Sequence, residues 1–268
     1  MPYADLHVHT TRSDGSLEPE AIPAAARRAD VAVVAVTDHD RRQPFEEPVL
    51  EREGVTIVNG IELRVEAPDG QRVDLLGYGV DPTPELEGVV ERIQHNRIER
   101  GQAIVDCVES QFGIDLGVTV DEGFGRPHVA RAIDDHPDVD CDYQGAFDRL
   151  IGYGDPCYVA REVPSFERGL ATLAGACRLV SLAHPLRYRD PDAALSLTAD
   201  PALEAVELYY PYDRGGVDRD VVEAAVERND LLVTGGSDAH GDDLGEAGLS
   251  RREYARLDLT DGRGDSGR

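Results

Sequence analysis

The chain has 268 residues, 41% of them hydrophobic, and sets 53 acidic side chains against 27 basic ones, for a formal net charge of -26. That length allows one large domain, or one with a smaller insertion, around a sizeable core. The charge excludes a broad basic surface for duplex nucleic acid, and no apolar run approaches the roughly 18–20 residues needed to cross a bilayer.

Every basic residue is arginine; the chain has no lysine. Excess carboxylate keeps a protein hydrated where salt screens its self-repulsion, and this balance resembles that of a halophile's cytosolic proteins. A small anionic substrate stays admissible if metals or a few arginines supply local positive charge. Cys107, Cys141, Cys157 and Cys177 form no CxxC pair, which reads as free structural thiols in a cytoplasmic protein. No basic region followed by an apolar stretch opens the chain, so no signal peptide is expected.

In chain order, DLHVHT reads as a short strand and PEAIPAAARRAD as a helix with apolar positions at helical spacing. VAVVAVTDHD is an apolar run without alternation, as in a parallel strand covered on both faces. EEPVLEREG suggests a helix closed by Gly54, and VTIVNGIELRVE and QRVDLLGYGV read as strands. The middle, from Pro84 to Pro164, carries helical periodicity: PELEGVVERIQHNRIERGQAIVDCVESQFG is long, and RPHVARAIDDH and YQGAFDRLIG are short. Alternation then returns. FERGLATLAGAC is a helix, LVSLAHP and ALEAVELYY are strands, DRDVVEAAVERND is a helix and LLVTGGSDAH is a strand. The pattern predicts an α/β fold with a parallel sheet or barrel over 1–83 and 165–256, a helical insertion over 84–164 and a flexible tail over 257–268. The RGD tripeptide in that tail is too short to carry an adhesion function.

The chemistry gathers at strand ends. His7 and His9 end the first strand, Asp38 and His39 the second, the third ends near Glu62, His184 ends LVSLAHP, and Asp238 and His240 end LLVTGGSDAH. In a barrel the carboxyl ends of the strands share one face, so these residues would converge in one cleft. The HxH pair is expected to reach a metal where its strand ends. Five of the eight histidines end predicted strands. Imidazole and carboxylate without thiolate suit zinc, manganese or iron. His7, His9, Asp14, His39, Glu62, His184, Asp238 and His240 are too many ligands for one ion, so two to three divalent ions are expected, with Glu62 bridging. Such a cluster implies metal-assisted hydrolysis of an anionic ester.

DLHVHTTRSDGS, VTDHD, GIEL, LLGYGVD, GRPHVARA, LAHP and GSDAH occur in this order along nearly the whole chain. Together they resemble the PHP (polymerase and histidinol phosphatase) family, in the branch of 5'-3' exoribonucleases and nucleoside 3',5'-bisphosphate phosphatases. The resemblance implies a distorted (β/α)7 TIM-like barrel, a trinuclear metal centre at the strand C-termini and a small inserted helical domain. It carries metal ligation onto the eight residues above and adds His128 as a ligand or substrate contact. Arg126, Arg187 and Arg12, near the motifs, are candidates to hold phosphate. Asp38 is expected to orient a ligand imidazole, and His184 or His240 to protonate the leaving group. One position departs: Asp74 stands where this branch commonly has histidine. The implied substrate is a small phosphorylated nucleotide or a short single-stranded oligonucleotide, with no duplex or membrane partner. Histidinol phosphate, or a catalytically silent metal-binding module, are the alternatives.

Overall fold

We describe residues 1–121, 124–212 and 218–259 of the chain in a computed structural model. The apolar runs pair into one eight-stranded sheet. Its strands are β1 (Ala4–Val8), β2 (Val33–Val36), β3 (Val49–Arg52), β4 (Val55–Glu66), β5 (Arg72–Tyr78), β6 (Leu179–Leu182), β7 (Ala205–Tyr209) and β8 (Leu232–Gly235). They lie in the order β1-β2-β4-β5-β6-β7-β8, with β3 pairing β4 off that path. The helices are α1 (Ile22–Arg28), α2 (Pro84–Phe112), α3 (Arg126–Asp134), α4 (Tyr143–Arg149), α5 (Phe166–Ala176), α6 (Pro191–Ser196), α7 (Asp220–Asn229) and α8 (Arg251–Tyr254).

The unalternating run of β2 has a simple cause. Val33 and Ala35 pack into one apolar cluster with Leu6, Val58 and Leu76, whereas Val34 and Val36 pack into another with Ile22, Ala25 and Ile57. Both faces of the strand are buried, so both must be apolar. Helix α1 supplies that second cluster with Ile22, Ala25 and Ala26, the helical spacing of its sequence.

β1, β2 and β4 run parallel, as do β6, β7 and β8, but β5 is antiparallel to both its neighbours. A turn at residues 67–70 joins β4 to β5, with Gly70 at φ +80°, so no crossover helix intervenes there. The sheet curls until its outer strands meet. Val8 bridges Ala239 in parallel, the His9 N–H donates to the Ala239 carbonyl at 2.9 Å, and the Ala239 N–H donates to the His7 carbonyl at 3.2 Å. Buried Asp5 fastens the same seam: its carboxylate accepts the Ser237 N–H at 2.9 Å, the Ser237 hydroxyl at 2.6 Å and the Gly245 N–H at 2.8 Å.

Three expectations are corrected. EEPVLEREG is not a helix: Val49–Arg52 is strand β3, antiparallel to β4, with Arg52 opposite Val55. The two residues between them, Glu53 at φ +50° and Gly54 at φ +78°, make the kind of turn with both central residues left-handed that joins hairpin strands. The thiols are not all free either, since Cys107 and Cys157 are disulfide-bonded and only Cys141 and Cys177 remain free. The tail does not begin at 257: Leu257 and Leu259 are 5% and 2% exposed and join the core cluster of β1 and β2. Residues 260–268, with the RGD tripeptide, lie outside the described residues.

The chain divides into two compact units, Met1–Val90 with Val163–Arg268, and Glu91–Glu162. The second has its own core, where Ile104, Val105 and Val108 of α2 meet Val129 and Ile133 of α3 and Ala146 of α4. The Cys107–Cys157 bond, closing a separation of 50 residues, lies within it. Among the described residues, no helix is long and apolar enough to cross a membrane.

Candidate metal centre

The strand ends and the loops after them bring the histidines together. His7 and His9 are two residues apart, so their side chains leave one face of β1, with ring centroids 5.1 Å apart. His9 lies 4.7 Å from the His39 ring and stacks on His240 at 4.3 Å, while His7 stacks on His184 at 5.6 Å. Gly236 makes this approach possible: a Cβ there would lie 2.3 Å from the His7 backbone nitrogen.

Carboxylates interleave with the rings. Glu62, fully buried on β4, reaches His184 Nε2 at 3.0 Å, His39 Nδ1 at 2.7 Å, His9 Nε2 at 3.4 Å and His7 Nε2 at 3.5 Å. Asp238 Oδ1 lies 3.0 Å from His9 Nε2 and 3.4 Å from His7 Nε2. Asp14 is within 3.7 Å of His9 and His39 and 3.4 Å of His240. Asp38 is used differently from the expectation. Its carboxylate accepts the Thr10 N–H at 2.7 Å, the Thr10 and Ser13 hydroxyls, and the Gln43 amide at 2.7 Å. Those bonds consume its oxygens, so it orders the loop after β1 instead of steering the His39 ring.

The electrostatics follow from this crowding. Burial would push the Glu62 carboxyl up, but His39, His7 and His184 hold it well below the usual range. Burial would likewise lower His39, yet Glu62, Asp74 and Asp14 outweigh it and raise the imidazole to about 9. Burial opposes charging of His7, and Glu207 with Glu62 overcomes it, so His7 is raised well above normal. For His9, flanked by His7 and His39, burial prevails and the pKa falls despite Asp238 and Glu62.

The donor set fits divalent cations. His7 Nε2, both ring nitrogens of His9, His184 Nδ1 and Glu62 Oε2 are buried and make no well-directed hydrogen bond, although Glu62 and Asp238 stand within ion-pair distance of the rings; atoms crowded together in this way are costly to bury unless a ligand meets them. Among the described residues, four groups have donor atoms within 4.8 Å of one another: His9, Asp14, His39 and His240; His7, His9 and Glu62; His7, His184 and Asp238; and His39, Glu62 and Asp74. Thiolate is absent from all four, which suits zinc, manganese or iron. A cavity of about 390 Å³ opens beside them, lined in part by Arg64, Arg72, Arg187 and Tyr188, a size for a small-molecule ligand.

Arg187 belongs to this cavity. Its Nη1 donates to Asp238 Oδ2 at 2.9 Å and to the Tyr210 hydroxyl at 2.7 Å. Arg12 instead reaches the Arg42 carbonyl at 3.5 Å and does not line the cavity. Arg126 and His128 lie in the second unit. There Arg126 sits over the Phe147 and Tyr158 rings and donates to the Ile151 carbonyl, and exposed His128 accepts the Gly125 N–H through Nδ1 at 3.1 Å.

Three participants escape the sequence reading. Glu207 on β7, 0% exposed, takes the His7 Nδ1 proton at 3.0 Å and the His184 N–H at 2.8 Å. The signal was an acid between Val206 and Leu208 in an apolar strand, where a charge is rarely buried without a partner. Tyr210 donates to Asp238 Oδ2 at 2.9 Å. Arg64 pairs with Asp74 across β4 and β5.

Comparison with known proteins agrees with this architecture. Residues 5–152 match the model of the PHP domain. The chain is 32% identical over 198 residues to a 3',5'-nucleoside bisphosphate phosphatase of Chromobacterium violaceum, covering 70% of this chain and 68% of that one. It is 29% identical over 192 residues to a 5'-3' exoribonuclease of Haemophilus influenzae, covering 69% of each. It is 28% identical over 248 residues to a phosphoribosyl 1,2-cyclic phosphate 1,2-diphosphodiesterase of Eggerthella lenta, covering 88% of this chain and 94% of that one. Among solved structures, a Chromobacterium violaceum amidohydrolase with bound sulfate superposes with a TM-score of 0.72 at 25% identity over 95% of each chain. With a matched domain over more than half its length, and the histidine–carboxylate cluster where its strands end, the chain belongs to the PHP family and is a phosphoric ester hydrolase.

Proposed function

We propose that the protein is a metal-dependent phosphoesterase of small nucleotides. Its substrate on this reading is a nucleoside 3',5'-bisphosphate or the 5' end of a short single-stranded oligonucleotide. The observation that carries it is the set of buried ring nitrogens and carboxylates that make no well-directed hydrogen bond, beside a cavity lined in part by three arginines. The names of two relatives support the substrate class. The ligands would be His7, His9, Asp14, His39, Glu62, His184 and Asp238, with His240 kept for proton transfer. Ions held there would polarise the phosphoryl oxygens and supply hydroxide near neutral pH. The alternating strands and the helical unit also favour a distorted (β/α)7 barrel carrying residues 84–164 as a helical insertion. The cytoplasm, a halophile's in composition, is the proposed compartment.

The chain's own residues supply the rest. Glu207 keeps a proton on His7 Nδ1, so Nε2, which faces Glu62 and Asp238, would be the nitrogen that ligates when an ion displaces its proton. Tyr210 and Arg187 hold Asp238 Oδ2, so Oδ1 faces His7 and His9. Arg187 then presents its fork to phosphate oxygens. The leaving-group proton is assigned to His240, whose side chain is 42% exposed and whose Nδ1 rests on the Asp238 carbonyl at 2.8 Å. The Asp14 carboxylate raises its proton affinity despite partial burial. His184, buried against Glu62, is left to ligation.

The test is phosphate release from adenosine 3',5'-bisphosphate, histidinol phosphate and a 5'-phosphorylated trinucleotide on one manganese-loaded preparation in high salt. Turnover of the bisphosphate or trinucleotide supports the reading. Turnover of histidinol phosphate alone, or of nothing, refutes it.

A further inference from the structure

Asp74 faces the cluster from β5, but its carboxylate is already taken. Arg64 and Asp74 stand directly opposite in the β4–β5 register. The guanidinium forks the carboxylate, Nε to Oδ1 at 2.7 Å and Nη2 to Oδ2 at 2.7 Å. Both partners are fixed from behind. The Asp74 N–H donates to the Tyr188 hydroxyl at 2.7 Å, and the Arg64 N–H donates to Asp40 Oδ1 at 3.1 Å. The Asp74 side chain is 1% exposed and the Arg64 side chain 36% exposed, so of these two cavity-lining residues the guanidinium is the more accessible.

By distance alone, His39, Glu62 and Asp74 could hold a metal. Chemistry separates them from the other groups. The groups built on His7 and His9 contain buried ring nitrogens that make no well-directed hydrogen bond. Here both oxygens of the carboxylate accept from a group that is cationic at any working pH. An ion on Asp74 would have to share those oxygens with the guanidinium or break the buried fork, leaving a charge uncompensated. The fork uses Nε and Nη2, which leaves Nη1 to a ligand.

We propose that the centre binds two divalent ions instead of three, and that the Arg64 guanidinium, locked by Asp74, takes the third cation's place and holds an oxygen of the substrate phosphate. This rests on the metal-phosphoesterase reading above and specifies how its site is charged. The position where the related branch commonly carries histidine thus holds half of a guanidinium–carboxylate clamp.

The test is a count of ions. Full-length protein is stripped with chelator, re-equilibrated with excess manganese chloride, desalted and measured by elemental analysis. The wild type binds two equivalents. Asp74→Asn also binds two, because Asp74 is not a ligand. Arg64→Ser, with an unchanged circular dichroism spectrum, binds a third. Three equivalents in the wild type, or fewer than two in Asp74→Asn, overturns the proposal, and the Asp74→Asn result stands even if Arg64→Ser does not fold. No manganese in any of the proteins overturns the metal reading itself. Inorganic phosphate is then titrated into the loaded wild type and Arg64→Lys. The lysine cannot make the fork, so affinity falls about tenfold at an unchanged metal count. Equal affinity overturns the role of Arg64.

Discussion

Glu207 shows how much one buried acid can set. Both of its oxygens are used, one by His7 Nδ1 and one by the His184 N–H. A glutamine has a single acceptor oxygen, which the His184 N–H requires, so its amide N–H₂ would face His7 and move the imidazole proton to Nε2. Glu207→Gln should therefore fold and bind manganese about 10–100-fold more weakly; wild-type affinity in a competition titration would refute this. His39 gives a pH prediction for the metal-stripped protein. Its folded pKa, about 9, lies above the ordinary value near 6.5, so its stabilisation is complete below that ordinary value and is lost as pH rises through the folded one. The melting temperature of chelated protein should fall across that window, and a flat profile would contradict the assignment. The strand-end histidines were legible because HxH, DH and SDAH follow apolar runs directly. The Arg64–Asp74 clamp was not, because it depends on the register of two strands, which no spacing within either strand reveals.

At the scale of elements, the β3–β4 hairpin explains the misreading of EEPVLEREG as a helix. The acids and arginines of EEPVLEREG fit a helix face as well as an exposed edge strand, and Val49 and Leu50 are only half-buried. What decides is the turn, where Glu53 and Gly54 both take positive φ. A Cβ at Gly54 would meet nothing within 4 Å, so a substitution there tests backbone strain alone. Gly54→Val should cost about 1–2 kcal/mol and lower the melting temperature by a few degrees, with manganese content unchanged. An unaltered melting temperature would count against the turn. Parallel β2 was readable because a strand covered on both faces must be apolar throughout. Antiparallel β5 was not, because it differs from a parallel strand in its short connection and not in its composition.

For the whole molecule, the charge of -26 is the dominant feature, and salt is the lever on it. Self-repulsion among exposed carboxylates is screened over about 3 Å at 1 M salt against about 10 Å at 0.1 M. The melting temperature should rise steadily from about 0.1 to 2 M potassium chloride, and a fall over that range would refute the halophilic reading of the composition. The Cys107–Cys157 bond was invisible in the sequence because 50 residues separate partners that only the packing of the helical unit brings together. That these histidines cluster was foreseeable and their wiring was not: the histidines lie at or just past strand ends, whereas Glu62, Glu207 and Arg64 reach them from within strands and Tyr210 from beside one. The most direct test of the whole account is phosphate release from adenosine 3',5'-bisphosphate by one preparation, first stripped of metal and then reconstituted with manganese. The account predicts no release from the stripped protein and recovery when manganese is restored. Equal release in both states, or none after manganese is shown to be bound, would contradict it.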